Sequence, residues 1–139
     1  MMLEIYTDGA YSSSRSQGGV GIIILENGKI IKKYSNNYKN CTNNQMECGA
    51  IVIALRIINK FYKKVDSIIF YSDSMYCIGT ITQNWKRNKN KALWNEFDKQ
   101  YAIAQTVCSN IQFKHIKGHN GDTYNEQVDV MAVQASQRV

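Results

Sequence analysis

Proline is absent from the 139-residue chain, and no internal repeat or linker-like shift in composition divides it. Linkers and domain boundaries are usually marked by proline-, glycine- or serine-rich stretches. Their absence predicts one continuous domain over residues 1–139. With 44% hydrophobic and 20% charged residues, the composition excludes a disordered chain.

Cysteine and histidine are scarce and scattered. No two of the four cysteines are spaced as Cys-x-x-Cys, and none clusters with either histidine, which argues against a zinc site. Long apolar runs are missing too, since crossing a bilayer takes about 20 residues, and Met1–Glu4 lacks the basic head of a secretory signal. We therefore expect a soluble protein of a reducing compartment, the cytoplasm, with no membrane contact. A monomer is the default expectation, because nothing in the sequence suggests an oligomer.

Acidic side chains are also few. The chain has eleven Asp and Glu and seventeen Lys and Arg, so its net charge is +6, which favours a polyanionic partner. One short stretch concentrates four cations beside an aromatic ring, namely Trp85, Lys86, Arg87, Lys89 and Lys91. Such a run is also typical of a simple solvated face, so the stretch alone leaves both interpretations open.

Apolar runs and turn signals predict the element order β-β-β-α-β-α-α-β-α, an α/β fold in which helices cover a sheet. Asn27-Gly28 between two β-rich runs marks a hairpin, and the glycines of residues 18–21 indicate close backbone packing or a bulge. The predicted strands are 3–7, 20–25, 29–34, 67–71 and 111–116. The predicted helices are 42–61, 74–83, 91–106 and 122–136.

Asp8-Gly9 ends the first predicted strand and admits two interpretations. Asp-Gly is a preferred two-residue hairpin turn, and in that case Asp8 merely closes a turn. The chain does not fold straight back, however, because polar residues 11–17 precede the next apolar run. The alternative is that Asp8 is one carboxylate of a site whose other members lie on distant elements.

Three further acids adjoin apolar stretches: Glu47 in a nearly apolar helix, Asp73 after a buried strand, and Asp129 in the last helix. Strand ends and helix starts converge at one edge of a sheet. Clustered carboxylates repel one another, and Mg²⁺ or Mn²⁺ would remove that repulsion. Each acid also has a structural explanation, because Asp73 fits a helix cap and Asp129 fits a solvated face.

Two capping boxes compete at the start of the long helix. Glu47 follows Asn44 by the required three residues, and Gln45 follows Thr42 by the same interval. The sequence leaves this choice open.

Four motifs closely resemble type 1 ribonuclease H, in order and with similar spacing over essentially the whole chain. They are Thr-Asp-Gly-Ala at 7–10, Thr-Asn-Asn-Gln-Met-Glu at 42–47, Ser-Asp-Ser-Met-Tyr at 72–76, and Lys-Gly-His-Asn-Gly at 117–121 with Asn125 and Asp129. The resemblance implies a ribonuclease H-like fold, with a five-stranded mixed sheet flanked by helices. It also implies hydrolysis of the RNA strand of RNA/DNA hybrids, which leaves 5′-phosphate and 3′-hydroxyl ends.

The resemblance implies catalytic roles for five residues. Asp8 is expected to bridge two Mg²⁺ ions, with Mn²⁺ as a substitute. Asp129 then helps to hold the ion that activates water, and Glu47 and Asp73 hold the ion at the leaving 3′-oxygen. His119 is expected to assist by handling protons or hastening product release, and its alternative is an exposed loop histidine.

The resemblance also implies contacts with the hybrid. The backbone of Gly9 and Ala10, with Ser14, is expected near the 2′-hydroxyls that mark an RNA strand. The other expected contacts are Thr42, Asn43, Asn44, Met75, Trp85, Lys86, Arg87, Lys89, Asn90, Lys91 and Asn125. Thr42 and Asn90 match a pocket for a DNA phosphate, whereas Met75 replaces a common glutamine and would have to act through its backbone.

Three other functions share some of these features. A hybrid-binding module would have lost its catalysis and broken the carboxylate set. Holliday-junction resolvases and integrase-like cores share scattered acids, without the Thr-Asn-Asn helix start and the Gly-His-Asn-Gly loop together. A ribonuclease H domain of a reverse transcriptase would match the sequence equally well.

Overall fold

The fold is that of a computed structural model, which describes residues 1–117 and 123–138. Its centre is a five-stranded mixed sheet with the strand order β3-β2-β1-β4-β5. The strands are β1 (Met2–Ser12), β2 (Gln17–Glu26), β3 (Lys29–Lys39), β4 (Ser67–Ser72) and β5 (Ile111–His115). The first three are antiparallel, and β4 runs parallel to both β1 and β5. The predicted fold class and element order are confirmed.

Helices cover both faces of the sheet. They are α1 (Asn43–Phe61), α2 (Met75–Thr82), α3 (Lys91–Val107) and α4 (Thr123–Ser136). Side chains of β2 alternate between two hydrophobic clusters: Ile22 and Ile24 pack with α1 and α3, and Ile23 and Leu25 pack with α4. A strand that is buried on both faces needs an unbroken apolar sequence, which explains the run at 20–25. Among the described residues, no helix is long and apolar enough to cross a membrane.

The first strand does not end at Asp8, and the interpretation of Asp8-Gly9 as a hairpin turn is wrong. Asp8 pairs with Gly21 and Gly9 pairs with Val20, so β1 continues to Ser12. The turn lies further on, over 13–16, where Ser16 adopts a left-handed conformation with φ 51°. Continued pairing with β2 therefore overrides the local turn preference of Asp-Gly.

Thr42 caps α1. Its hydroxyl accepts a hydrogen bond from the Gln45 N–H at 3.2 Å, and the Gln45 side chain accepts one from the Thr42 N–H at 3.0 Å. This reciprocal pair is the capping box. The alternative box of Asn44 and Glu47 is therefore wrong, and the Glu47 carboxylate is not used to cap the helix.

Ser74 caps α2, so Asp73 is not the helix cap either. The Ser74 hydroxyl accepts a hydrogen bond from the Cys77 N–H at 3.2 Å. The Ser72 hydroxyl in turn accepts one from the Ser74 N–H at 3.1 Å. Because these two serines satisfy the helix start, the Asp73 carboxylate is left for another role.

Cys48 of α1 and Cys77 of α2 form a buried disulfide, with Cα atoms 5.7 Å apart. This pairing differs from the expected set of reduced thiols. The two residues are 29 positions apart, and only the packing of α2 against α1 brings them together. Cys41 and Cys108 are free.

Gly9 and Gly21 allow helices to approach the sheet very closely. A Cβ atom at Gly9 would overlap the backbone carbonyl carbon of Met46 and the backbone nitrogen of Glu47 in α1. A Cβ at Gly21 would lie 2.5 Å from the carbonyl oxygen of Val128 in α4. Both glycines therefore act by leaving space, as the cluster of glycines at 18–21 predicted for β2.

Replacing Gly9→Ala is expected to lower the free energy of unfolding by at least about 2 kcal/mol, because backbone rather than a flexible side chain must give way. Gly49→Ala is the matched control, since a Cβ there meets nothing within 4 Å. Inside a helix that change should raise stability by roughly 0.5–1 kcal/mol. Urea denaturation followed by circular dichroism measures both variants. Equal effects of the two changes would contradict the role assigned to Gly9.

Candidate active site

Three carboxylates from separate elements meet at one end of the sheet. Oxygen atoms of Asp8, Glu47 and Asp73 all lie within 4.8 Å of one another. Asp8 and Asp73 arrive together because β1 and β4 are parallel neighbours up to the pair Tyr6 and Tyr71. Each acid lies two positions beyond this last pair between β1 and β4, so both emerge at the same sheet end.

Glu47 reaches this point because α1 closes onto β1 at Gly9. The Gly9 N–H donates to Asp8 Oδ1 at 2.9 Å and to Glu47 Oε1 at 3.1 Å. One backbone N–H thus fixes two carboxylates at once. Hydrogen bonds to an ionised acceptor are stronger than neutral ones, so this contact orients the pair when both are charged.

Burial and mutual repulsion disfavour the charged forms of these carboxylates. Asp8 and Glu47 are 2% and 7% exposed. Burial, followed by the hydrogen bond and the charge of Glu47, raises the pKa of Asp8 well above its usual value. Burial also raises the pKa of Glu47, while its hydrogen bond to Asp8 acts in the opposite direction. The pair therefore retains a proton when no cation is bound.

Asp129 approaches the same cluster from α4. It is half-buried, and its charge contributes to the raised pKa of Glu47. Its oxygen atoms are not among those within 4.8 Å of one another. The sequence-based expectation of four converging acids is thus met by three in close contact and a fourth within electrostatic reach, which does not fit a freely solvated face.

The donor set fits a hard divalent cation. All three close ligands are carboxylate oxygens, which Mg²⁺ and Mn²⁺ prefer. Glu47 Oε2 is buried and has no hydrogen-bond partner among the described residues. A buried carboxylate oxygen without a partner is costly, and a cation bound there would satisfy it.

A shallow cleft of about 340 Å³ adjoins the carboxylates. It brings several expected substrate contacts next to the acids, and its lining residues are Asn43, Asn44, Glu47, Asp73, Ser74, Met75 and Tyr76. Asn43 and Asn44 occupy the first turn of α1 behind the Thr42 cap. Their side chains are therefore not needed for capping.

Asn90 takes part in a network that the sequence did not reveal. It adopts a left-handed conformation with φ 59° at the start of α3 and makes no side-chain cap. Instead its Oδ1 accepts from Gln45 Nε2 at 3.2 Å, and its Nδ2 donates to the Tyr76 hydroxyl, also at 3.2 Å. The Trp94 indole donates to the same hydroxyl at 3.2 Å. The network joins Asn90 to the helix start that carries Thr42.

The basic stretch at 85–91 runs through the irregular segment between α2 and α3 and ends at Lys91, the first residue of α3. The Trp85 ring packs against α2 at Gly79, where an added Cβ would come within 2.6 Å of it. Arg87 pairs with Asp98 at 2.7 Å and places its guanidinium 5.1 Å from the centre of the Trp94 ring. Arg87 is therefore engaged by α3, whereas the expected contacts Lys86, Lys89 and Lys91 are exposed.

The remaining expected contacts are dispersed. Ser14 lies in the exposed turn after β1 and hydrogen-bonds Ser12 at 3.1 Å, Ala10 is half-buried, and Asn125 is buried in α4. His119 lies outside the described residues. His115 was not expected at the site, yet its Nε2 lies 3.2 Å from the backbone oxygen of Asp73.

Buried carboxylates gathered from separate elements at one sheet end define a candidate metal-dependent hydrolase. Comparison with known proteins identifies the family: the RNase H family profile matches residues 1–137. A ribonuclease H from Trichodesmium erythraeum is 34% identical, over 99% of this chain and 90% of that relative. The chain belongs to the RNase H family.

Solved structures agree with this assignment. RNase H1 from the archaeon Halobacterium salinarum NRC-1 superposes with a TM-score of 0.78 over 97% of both chains at 24% identity, which supports the fold. LC11-RNase H1, solved in complex with an RNA/DNA hybrid, has a TM-score of 0.78 at 25% identity, over 96% of this chain and 95% of that chain. These matches confirm the resemblance inferred from the four motifs.

The raised pKa values predict how metal binding and pH combine. Without metal, the folded state favours protonated Asp8 and Glu47. Their contribution to stability is therefore complete below the unfolded pKa of about 4 and is lost as pH rises through the folded values. A bound divalent cation neutralises the deprotonated carboxylates and so prevents this loss of stability at high pH. We expect Mg²⁺ a hundredfold above its Kd to raise Tm by roughly 5–10 °C near pH 8, and by much less near pH 5.

Differential scanning fluorimetry measures this effect, and Asp8→Asn is the matched variant. Asparagine is neutral at every pH, so this change removes the cost of protonating the buried Asp8 carboxyl near pH 8. It should therefore raise the Tm of the metal-free protein there and abolish most of the response to Mg²⁺. A response to Mg²⁺ that is the same in Asp8→Asn, or independent of pH, would contradict a metal site built on this pair.

Proposed function

We propose that this chain is an endoribonuclease that hydrolyses the RNA strand of RNA/DNA hybrids, leaving 5′-phosphate and 3′-hydroxyl ends. The observation that carries the proposal is the close approach of buried Asp8 and Glu47 to half-buried Asp73, with Asp129 within electrostatic reach. Membership of the RNase H family supports the same activity.

Asp8, Glu47, Asp73 and Asp129 are the residues that would hold two Mg²⁺ ions, with Mn²⁺ as a substitute. When bound, the ions would supply an activated water and would stabilise charge on the leaving 3′-oxygen.

The protein's own contribution is positioning. The Gly9 N–H orients two ligands, the caps at Thr42 and Ser74 leave Glu47 and Asp73 free, and burial strengthens every charge interaction at the site.

The hybrid would lie across the cleft beside the acids. Asn43, Asn44 and Met75 line that cleft, where Met75 would act through its backbone, and Gly9, Ala10 and Ser14 follow Asp8 along the chain. The hybrid bound to LC11-RNase H1 supports this class of substrate. Reading the 2′-hydroxyl from the minor groove would identify the RNA strand.

The DNA strand would meet the other side of the cleft. Thr42 and Asn90 would hold one of its phosphates, and the Gln45 bond to Asn90 keeps the two elements together.

The basic stretch would contact the DNA backbone through its exposed lysines, which are Lys86, Lys89 and Lys91, with Trp85 beside them. Arg87 would contribute less, because Asp98 already neutralises its charge.

Two roles rest on the motif at 117–129. His119 would handle protons or hasten product release, as its match to the family implies, and Asn125 is buried in α4 one turn before Asp129. We further propose a single domain over residues 1–139 that acts as a monomer in the cytoplasm, where Cys48 and Cys77 would face a reducing environment.

The function is tested with one end-labelled RNA strand that is presented alone, paired with RNA, and paired with DNA. We expect cleavage of the hybrid only, in Mg²⁺ but not in EDTA. Asp73→Asn should lower the rate by on the order of a thousandfold. Asp66→Asn is the control, because Asp66 is exposed and pairs with the terminal amine of Met1.

Binding of the hybrid without cleavage, in Mg²⁺ and Mn²⁺ alike, would contradict the catalytic proposal and favour a hybrid-binding module. Equal cleavage by Asp73→Asn would point to a contaminating nuclease and would also withdraw support from the assigned site.

A further inference from the structure

A continuous furrow runs along α1 on the side that faces β3 and α3. It consists of two adjoining hollows of about 330 and 470 Å³, which share the lining residues Tyr38, Ile53 and Arg56. Gln45 lines one end, and Phe61 lines the other. We call this feature the α1 furrow. Since Gln45 and Phe61 are 16 residues apart on α1, the furrow extends for roughly 24 Å.

The far end of the α1 furrow combines an exposed ring with cations. Phe61 is 60% exposed, although it is a large apolar residue. The ammonium groups of Lys32 and Lys60 lie 5.1 and 5.4 Å from the centre of its ring. Exposed cation–π contacts of this kind contribute only about 0.5–1 kcal/mol. An incoming base could therefore stack on the ring in their place, while phosphates bind the two ammonium groups.

The middle of the α1 furrow carries polar groups that suit the same ligand. The hydroxyls of Tyr34 and Tyr38 lie 3.5 Å apart and can donate to phosphate oxygens. Arg56 lines the furrow and forms an ion pair with Glu96, in which Arg56 Nη2 lies 3.3 Å from Glu96 Oε2. Glu96 is the sole acid among the described residues that line the two hollows, where Lys32, Arg56 and Lys60 are the cations.

The near end of the α1 furrow adjoins the proposed path of the DNA strand. Gln45 lines the furrow and donates to Asn90 at 3.2 Å. Asn90 and Thr42 are the residues that we propose for a DNA phosphate. A DNA strand that passes this point and is no longer paired would therefore meet the mouth of the furrow.

We propose that the α1 furrow binds a single-stranded DNA tail that continues the DNA strand of a bound hybrid, with Phe61 stacking on an unpaired base. Single-stranded nucleic acid is recognised by a basic groove with exposed aromatic rings, which is the combination found here. A duplex does not fit this chemistry, because its bases are already stacked and cannot cover Phe61. The inference rests on the proposed function, since the hybrid delivers the tail.

The test compares the affinity of the protein for a blunt hybrid with its affinity for hybrids that carry a DNA tail of about 12 nucleotides at either end. Fluorescence anisotropy in EDTA measures binding without cleavage. We expect one of the two tails to tighten binding about tenfold, and the same tail placed on the RNA strand to have little effect.

Matched variants locate the effect. Phe61→Ala should reduce the gain from the tail to about twofold or less, and Phe61→Tyr, which keeps the ring, should retain it. Lys32→Gln with Lys60→Gln should also reduce the gain. Lys63→Gln with Lys64→Gln removes the same charge from exposed lysines that do not line the furrow, and it should preserve the gain. Thermal melts confirm that each variant is folded.

Three outcomes would overturn the proposal: no gain from a DNA tail at either end, an equal gain from a tail on the RNA strand, or an equal loss in the Lys63 and Lys64 variant. Displacement of the tail by polyglutamate at equal charge would instead identify an acidic peptide as the occupant and would also overturn it. Cleavage of the blunt hybrid in Mg²⁺ separates the two proposals. Cleavage without any tail effect rejects the furrow alone, whereas no cleavage rejects the proposed function.

Discussion

The whole site depends on the contact between Gly9 and the first turns of α1. Because Gly9 has no side chain, the backbone of Met46 and Glu47 can close onto β1 directly beside Asp8. The Gly9 N–H then donates to both Asp8 and Glu47. Any other residue would separate the helix from the strand, and with it one carboxylate from the other. A steric requirement at one backbone position therefore becomes the geometry of a candidate metal site.

That geometry is unfavourable until a cation arrives. Asp8 and Glu47 are buried together, their pKa values are raised, and Asp73 and Asp129 add further negative charge. The rest of the structure holds the acids in place despite their repulsion: β1 pairs with β4 behind them, and α1 packs against α2 at Cys48 and Cys77, just beyond Glu47 and Asp73. Such preorganisation is what a cation-dependent site requires, since the ligands need not be assembled when the ion binds.

The sequence predicted a large part of this arrangement. Periodicity and turn signals predicted the order of the strands and helices, and the position of Asp8, Glu47 and Asp73 beside apolar runs indicated one shared site. It did not predict that β1 passes through Asp8, because that depends on pairing with β2. Nor did it predict the disulfide or the hydrogen bonds of Tyr76 with Asn90. These contacts join residues far apart in the chain and arise only when α1, α2 and α3 pack together.

The central claim is that Asp8, Glu47, Asp73 and Asp129 form one site for two divalent ions. Its most direct test is anomalous diffraction from crystals of the protein grown with Mn²⁺ and a hybrid whose scissile bond cannot be cleaved. We expect two manganese peaks roughly 4 Å apart, both contacting Asp8, with Glu47 and Asp73 on one ion and Asp129 on the other. Manganese bound elsewhere, or none within reach of Asp8, would contradict the account.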